Sequence, residues 1–240
     1  GLEMTVEYSI VVPVKDEEEN LPSLIESIQK VLESLDKPWE LILVNDGSTD
    51  KSLEVMKSHQ ASRPFIRILH FDKNHGESLA TYTGLIHAKG PITISLDADL
   101  QNDPRDIPKL LEALPGHDLV CGWRVHRKDC WYKKWISRLA NFIRSRICQD
   151  NVHDTGCTLR AYRTEKLRQI KMYNGMHRFL PALFSIEGFL VREIPVAHHP
   201  RTKGKSKYNF FNRGPSLLID MLVVLWMRKK HLPVKDVKEL

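Results

Sequence analysis

The chain lacks the glycine-rich phosphate-binding motifs and the paired cysteines that mark several common classes of protein. No Gly-x-Gly-x-x-Gly follows the first apolar run, and no Gly-x-x-x-x-Gly-Lys-Ser/Thr occurs. These absences argue against dinucleotide-binding enzymes and P-loop NTPases. The four cysteines include no Cys-x-x-Cys pair, so a structural zinc site or a disulfide framework is disfavoured. A reduced cytosolic compartment fits this cysteine usage better.

Long apolar runs are also missing. The most apolar stretch, 217–227, is short and contains Asp220, whereas about 20 residues are needed to cross a bilayer. Three basic residues follow it at 228–230, so we expect a helix that is either packed or interfacial. The first apolar run leads into acidic residues, unlike a signal peptide, and Gly1-Leu2-Glu3 before Met4 looks like a cloning remnant.

Acidic residues are scarce in the second half of the chain. Residues 1–122 hold 11 Lys and Arg against 21 Asp and Glu, and residues 123–240 hold 25 against 9. The two halves therefore carry net charges of −10 and +16. Such asymmetry indicates that the second half faces something anionic, with nucleic acid, a phosphate-rich ligand and an anionic membrane surface as candidates.

The first half alternates between strand and helix patterns, which predicts an α/β fold with a parallel sheet covered on both faces. Apolar and β-branched runs predict strands at 8–14, 40–44, 66–71, 92–96 and 118–122. Helical spacing predicts helices at 21–35, from about 50, at 76–88 and at 104–114.

The second half has a different pattern, rich in basic and aromatic residues. Residues 124–146 predict a basic amphipathic helix with a loop before it, in which Trp131 and Trp135 are interpreted as core. A strand is predicted at 189–196, followed by a basic, glycine-containing loop at 201–207. His198 and His199 are not expected to form a metal pair, because adjacent residues in a strand point to opposite faces.

Acidic residues follow three of the predicted strands: Asp16 and Glu17 the first, Asp46 the second, and Asp97 and Asp99 the fourth. Open α/β sheets bind ligands at the carboxyl ends of their strands, and paired carboxylates suit a hard divalent cation. The alternative is that these residues only form turns and helix caps. Both interpretations remain open from the residues alone.

Four segments in the first half resemble the family 2 glycosyltransferases of the GT-A fold; they are 13–21, 44–50, 74–76 and 96–104. Four later segments are similar to the branch of this family that glycosylates polyprenyl phosphates. That branch includes dolichol-phosphate mannose synthases and undecaprenyl-phosphate glycosyltransferases. The four segments are 122–124, 154–160, 193–196 and 201–208. Two departures are visible. The family usually has Tyr-Asn where Lys15-Asp16 stands, and many members continue into membrane-spanning helices.

The resemblance implies a role for each matching residue. The nucleotide-sugar site would comprise Pro13, Glu17, Asp46, Asp97, Ala98, Asp99, Gln101, Arg201 and Lys207. Mg²⁺ or Mn²⁺ would be held by Asp99 and Gln101, with Asp97. Arg124 and Arg138 would bind the acceptor phosphate. Of all these residues, Asp99, Arg124 and Arg201 would be the catalytic ones.

The resemblance also implies the organisation and activity of the chain. Residues 4–208 would form a GT-A domain with a nucleotide-sugar half (4–122) and an acceptor half (123–208), followed by an amphipathic helix and basic tail at 209–240. The expected reaction is inverting transfer from a UDP- or GDP-sugar to a polyprenyl phosphate. The enzyme would lie on the cytoplasmic face of an anionic membrane, and a separately encoded membrane partner would be one way to anchor it.

Two alternatives remain. One is a related transferase acting on a sugar or protein hydroxyl, with Asp154 as base, because a hydroxyl acceptor needs a base within hydrogen-bond reach. The other is a non-catalytic nucleic-acid-binding module that uses the basic stretch 123–146. The acidic strand ends would repel a polyanion, so nucleic acid is not expected as a partner.

Overall fold

The computed structural model describes residues 5–124, 152–200 and 214–232, with only the backbone at 214–218. The described strands are β1 (Tyr8–Val14), β2 (Trp39–Asp46), β3 (Ile66–Phe71), β4 (Ile92–Ser95), β5 (Leu119–Arg124), β6 (Arg160–Arg163) and β7 (Val191–Val196). The described helices are α1 (Leu21–Glu33), α2 (Ser52–Ala61), α3 (Glu77–Ile86), α4 (Ile107–Ala113), α5 (Thr164–Leu167), α6 (Leu180–Ile186) and α7 (Gly214–Lys230). Short 3-10 turns, Pro104–Asp106 and Met176–Phe179, precede α4 and α6.

The described strands form one sheet in the order β3-β2-β1-β4-β6-β5-β7. All neighbours are parallel except those of β6, which runs antiparallel to both β4 and β5. β2 and β4 lie on opposite sides of β1, so the direction of winding reverses there. A crevice opens at the carboxyl ends of the strands at such a point, and ligands of open α/β sheets bind in it.

The helices cover both faces of the sheet, as the alternating pattern predicts. On one face α1 packs its buried residues, such as Leu24 and Ile28, against alternate residues of β1 and β2. On the other face α3 packs against β1 closely enough that a Cβ on Gly84 would collide with the side chain of Val11. This close packing fixes the N-terminus of α3 beside the end of β1.

The second half contains elements that the sequence patterns do not predict, namely β6, α5 and α6. β6 has four residues and includes the buried Arg160, so it lacks the apolar run that identifies a strand. α6 contains a proline in its first turn and has seven residues, which is too short for a clear helical period.

The C-terminal helix α7 extends beyond the predicted 217–227. Met221 and Val224 are buried against the core, whereas Leu222 and Trp226 are 60% and 62% exposed. The described side chains of α7 therefore place apolar groups on both the packed and the exposed side. Within the described ranges no helix is both long and apolar enough to span a membrane.

Candidate active site

The loops after β1 and β2 are tied together at the carboxyl edge of the sheet. The backbone N–H of Asp16 donates to Ser48 Oγ at 3.0 Å, and Asp16 Oδ1 accepts the N–H of Thr49 at 2.7 Å. The N–H of Glu17 donates to Ser52 Oγ at 2.8 Å. Asp16 has a φ of 52°, an unusual backbone conformation that these bonds hold in place. Pro13 and Glu17 thus lie on a rigid edge.

Asp46, at the end of β2, binds protein backbone. It is 4% exposed, and its two carboxylate oxygens accept the N–H groups of His75 at 2.7 Å and Gly76 at 3.0 Å. These bonds fix the loop that leads into α3. The predicted contact of Asp46 with a nucleoside stays a prediction.

Asp97 and Asp99 follow β4, where the sequence predicts them. Asp99 is 8% exposed and accepts the backbone N–H of Gln101 at 3.1 Å. In this turn Leu100 adopts the left-handed backbone conformation, with a φ of 62°. Burial, together with the nearby carboxylates of Glu77 and Asp99, raises the pKa of Asp97 to about 8, against the opposing effects of Thr158 and Arg124. Acidic side chains are therefore crowded at this strand end, and the crowding favours the protonated form of Asp97 when no cation is bound.

Asp103, a little further along, has a structural role. Its carboxylate forms an ion pair with Arg105 at 2.7 Å and accepts a hydrogen bond from His199 Nε2 at 2.9 Å. It also caps the turn that leads into α4. An isolated bridge between Asn102 and His198 brings the segment after β7 against this loop.

The oxygen atoms at this edge suit a Mg²⁺-type site in which a bound substrate completes the coordination of the cation. The described residues contain no cluster of three His, Cys, Asp or Glu side chains arranged as a metal cage. Mg²⁺ is usually held by one or two carboxylates together with substrate phosphates. Asp97, Asp99 and the amide oxygen of Gln101 are hard oxygen donors of this kind, so the residues fit such a cation.

Arg124, at the end of β5, is gripped by Asp154. Arg124 Nε donates to Asp154 Oδ2 at 2.6 Å, and Nη2 donates to Oδ1 at 2.8 Å. Asp154 is held in turn by Glu193, which accepts its N–H at 2.9 Å. A Cβ on Gly156 would lie 2.6 Å from Arg124 Nη2, so glycine leaves room for the guanidinium. This network gives Arg124 a fixed orientation.

Three further residues lie at the same edge, and none of them is among the predicted site residues. Glu77, Arg160 and His177 line a pocket that also includes Pro13 and Asp97. They come from α3, β6 and the turn before α6. No spacing signal links them, because 83 positions separate Glu77 from Arg160. Only the folded chain brings them together.

Several predicted residues lie outside the described ranges. They are Arg138, Arg201, Lys207, Trp131 and Trp135. Their roles stay predictions from the sequence.

Comparison with known proteins identifies the family of the chain. Residues 9–171 match the family described as glycosyl transferase family 2. The dodecaprenyl-phosphate galacturonate synthase of Rhizobium johnstonii is 37% identical over 95% of this chain and 70% of its own length. The undecaprenyl-phosphate 4-deoxy-4-formamido-L-arabinose transferase of Salmonella choleraesuis is 39% identical over 90% of this chain and 67% of its own length.

A solved structure confirms the fold. The glucosyl-3-phosphoglycerate synthase of Mycobacterium tuberculosis, in complex with Mn²⁺, UDP-glucose and phosphoglyceric acid, superposes with a TM-score of 0.70. It is 18% identical and covers 95% of this chain and 81% of its own. The α/β architecture and the family predicted from the motifs are both confirmed: the chain belongs to glycosyl transferase family 2, and it folds as a GT-A glycosyltransferase.

Proposed function

We propose that the enzyme transfers a sugar from a UDP- or GDP-sugar to a polyprenyl phosphate, with inversion at the anomeric carbon. The observation that carries this proposal is Arg124, a guanidinium held in one orientation by Asp154 at the carboxyl edge of β5. Arg124 is close enough to Asp97 to lower the pKa of that carboxyl group. Both relatives are named for polyprenyl-phosphate products or acceptors, which supports the choice of acceptor.

The order of strands supports a matching order of substrate groups along the edge. The nucleoside would lie over β1 and β2, near Pro13, Glu17 and Asp46. The diphosphate would lie over β4, near Asp97 and Asp99. The acceptor phosphate would lie over β5, near Arg124. Since β6 separates β4 from β5, the transferred sugar would lie between the two proposed phosphate sites.

The chemistry requires little proton transfer from the protein. A phosphate monoester has a second pKa of about 6, so it is largely a dianion at neutral pH. One of its oxygens attacks the anomeric carbon while the bond to the nucleoside diphosphate breaks on the opposite side. Mg²⁺ or Mn²⁺ on Asp99 and Gln101, with Asp97, would neutralise the charge that builds on the leaving diphosphate. Arg201 and Lys207 are proposed to add positive charge there.

The hydroxyl-acceptor alternative is weakened by the contacts of Asp154. Both of its carboxylate oxygens accept hydrogen bonds from Arg124. A carboxylate whose two oxygens both accept from a guanidinium is poorly placed to take a proton from a hydroxyl acceptor as well. The Nη1 donors of Arg124 are not used in this pair, and guanidinium donors of this kind suit a phosphate.

A peripheral position on the cytoplasmic face of an anionic membrane is part of the proposal. The exposed Leu222 and Trp226 lie on α7, which ends in the basic residues 228–230. Tryptophan and cationic side chains are favoured at the membrane interface.

The nucleic-acid-binding alternative would require a polyanion to approach the acidic strand ends, and a mobility-shift assay with RNA and DNA tests it directly.

The first experiment compares acceptors. The protein is incubated with a panel of UDP- and GDP-sugars, with Mg²⁺ or Mn²⁺, and with either undecaprenyl phosphate or undecaprenol. We expect transfer to the phosphate only. Equal transfer to the free alcohol would refute the proposed acceptor.

Arg124→Ala should lower transfer to undecaprenyl phosphate about a hundredfold, the usual cost of losing one preorganised donor to a reacting oxyanion. Donor affinity, measured by calorimetry, should stay within about twofold, because the guanidinium is proposed to bind the acceptor. Arg192→Ala is the control, since Arg192 is an exposed arginine on the neighbouring strand β7. Loss of donor binding in Arg124→Ala would contradict the assignment.

A further inference from the structure

Strand β7 carries a largely buried carboxylate, Glu193, that binds the backbone of the segment containing Asp154. The side chain of Glu193 is 8% exposed. The N–H of His153 lies 3.0 Å from both carboxylate oxygens, and the N–H of Asp154 donates to Oε1 at 2.9 Å. Burying a carboxylate is costly unless it accepts several hydrogen bonds. Two consecutive backbone groups supply them here, so Glu193 fixes the path of the chain at Asp154.

The imidazole of His153 adds a further contact to Glu193. Its Nδ1 lies 2.8 Å from Glu193 Oε2, and a carboxylate can only accept, so Nδ1 carries the hydrogen of this bond. The ring stacks on Trp123 of β5, with the ring centroids 4.8 Å apart. The His153 side chain is 69% exposed, and exposed pairs of this kind stabilise little. The backbone bonds to Glu193 are therefore the ones that hold the segment.

Asp154 transmits this position to Arg124. Its Oδ2 accepts the backbone N–H of Arg124 at 3.1 Å and Nε at 2.6 Å, and its Oδ1 accepts Nη2 at 2.8 Å. The side chains of Arg124 and Asp154 are 14% and 9% exposed, so little solvent competes for these bonds. With Nε and Nη2 both bound to Asp154, the plane of the guanidinium is fixed and Nη1 points to the opposite side.

The register of the sheet makes Asp154 the link between Glu193 and Arg124. Strands β5 and β7 are parallel neighbours in which Cys121 pairs with Glu193 and Arg124 pairs with Val196. Glu193 is therefore three positions before the level of Arg124, which is about 10 Å along a strand. Glu193 acts on the guanidinium through Asp154 and not as a ligand of the same phosphate.

We propose that Glu193 is a positioning residue for the acceptor phosphate, which orients Arg124 through Asp154 and thereby directs Nη1. The inference rests on the proposed function for the ligand of Arg124. A long side chain that is free to move must be ordered each time a ligand binds, and this ordering reduces the affinity. A guanidinium that is already ordered avoids this cost and presents its donors in a fixed geometry.

The kinetics of Glu193→Ala test the effect on the acceptor. The kcat/KM for undecaprenyl phosphate should fall about tenfold or more, because displacing a positioned group by about 1 Å can cost about a hundredfold. Donor affinity, measured by calorimetry with Mn²⁺, should change by less than about twofold. An unchanged kcat/KM, or an equal loss of donor affinity, would overturn the proposal.

A conservative variant and a control accompany this measurement. Glu193→Gln keeps one oxygen that can accept the N–H of Asp154, so it should retain more activity than Glu193→Ala. Glu54→Ala removes an exposed carboxylate in the first turn of α2, and it should leave both kcat/KM and donor affinity unchanged. Equal losses in the Gln and Ala variants would contradict a role that depends on accepting this backbone hydrogen bond.

A double-mutant cycle separates positioning from a general effect on the fold. If Glu193 acts through Arg124, adding Glu193→Ala to Arg124→Ala should lower kcat/KM by less than about twofold further, because the group that Glu193 orients is already gone. A residue that only stabilises the fold would lower the rate in both backgrounds. A double variant whose loss equals the product of the two single losses would therefore refute the positioning role.

The Nε–H resonance of Arg124 reports its orientation without any substrate. In ¹⁵N-correlated spectra the wild-type protein should show a slowly exchanging Nε–H signal that is missing from Arg124→Ala, since this hydrogen is bonded to Asp154 and shielded from solvent. In Glu193→Ala the signal should shift and exchange faster, while backbone signals of β1 to β3 stay in place. The same shift and exchange rate in both proteins would show that Glu193 does not orient Arg124.

The outcomes also separate this inference from the proposed function. If the Arg124 signal responds to Glu193→Ala but undecaprenyl phosphate is not glycosylated, the acceptor assignment fails and the positioning of Arg124 stands. If transfer to undecaprenyl phosphate occurs but the signal is unchanged, or the two losses multiply, the positioning role fails alone.

Discussion

Single residues at the sheet edge divide into those that build the site and those that face substrate. Asp46 and Asp154 each have both carboxylate oxygens bound by protein donors, which fix a loop and a guanidinium respectively. Asp97 and Asp99 lie where β4 ends, with Glu77 nearby. Carboxylates gathered at one strand end are stabilised when a cation joins them, and this is the physical basis for placing the metal there.

At this scale, Asp99→Ala should lower turnover about a hundredfold or more, comparable to removing a preorganised transition-state contact. It should also remove the dependence of nucleotide binding on Mg²⁺ or Mn²⁺, which calorimetry measures directly. Asp72→Ala is the control, because the Asp72 side chain is 96% exposed. A variant that keeps a near-normal rate with Mn²⁺ would show that Asp99 is not a ligand.

Among the elements, α3 has a central position because it touches both the core and the pocket. Its residues Ala80 and Leu85 are buried, and Gly84 allows the helix to lie directly on Val11 of β1. The same helix begins with Glu77 and Ser78, which connect it to His177. Tight packing at one end of the helix thus holds the groups at its other end.

Gly84→Ala should destabilise the fold by about 1–3 kcal/mol, the range for adding a methyl group to a close-packed core. The added Cβ would collide with Val11 and also lie 2.9 Å from Val44 Cγ2, so α3 must shift away from the sheet. Urea unfolding measures the effect. Leu79→Ala, at a 40% exposed position of the same helix, should cost much less, and equal costs would refute the close-packing argument.

At the scale of the whole molecule, the sequence is polarised in charge, and α7 exposes apolar side chains. The first half carries −10 and the second half +16, and the exposed apolar residues of α7 belong to the basic half. Each basic residue close to an anionic leaflet contributes about 1 kcal/mol of attraction. The positive charge of the second half and the apolar side chains of α7 would then both favour binding to such a leaflet.

Binding to vesicles tests this arrangement. The protein should sediment with vesicles containing phosphatidylglycerol, and high salt or carbonate should release it, because the attraction is largely electrostatic. Leu222→Ser combined with Trp226→Ser should weaken binding, whereas Leu190→Ser, at a 59% exposed position outside α7, should not. Retention through both washes would contradict a peripheral association.

The sequence predicts the bounds of the first strands and helices with little error. α1 is predicted at 21–35 and found at Leu21–Glu33, and β1 and β3 have the predicted bounds. These segments are determined by local periodicity and by flanking polar residues, which a sequence shows directly. The strand-end carboxylates are visible for the same reason, since they follow each apolar run.

Contacts between distant residues were decided by the tertiary structure alone. Arg124 and Asp154 are 30 positions apart, and Ser78 and His177 are 99 apart; no local pattern encodes either pairing. β6 is too short and too polar to signal a strand, and it becomes one because β4 and β5 offer it hydrogen-bonding edges. The sequence by itself determined the alternation of strands and helices and the family, because these depend on neighbours along the chain. The orientation of Arg124 and the pocket at Glu77 depend on packing between elements, and only the folded molecule supplies it.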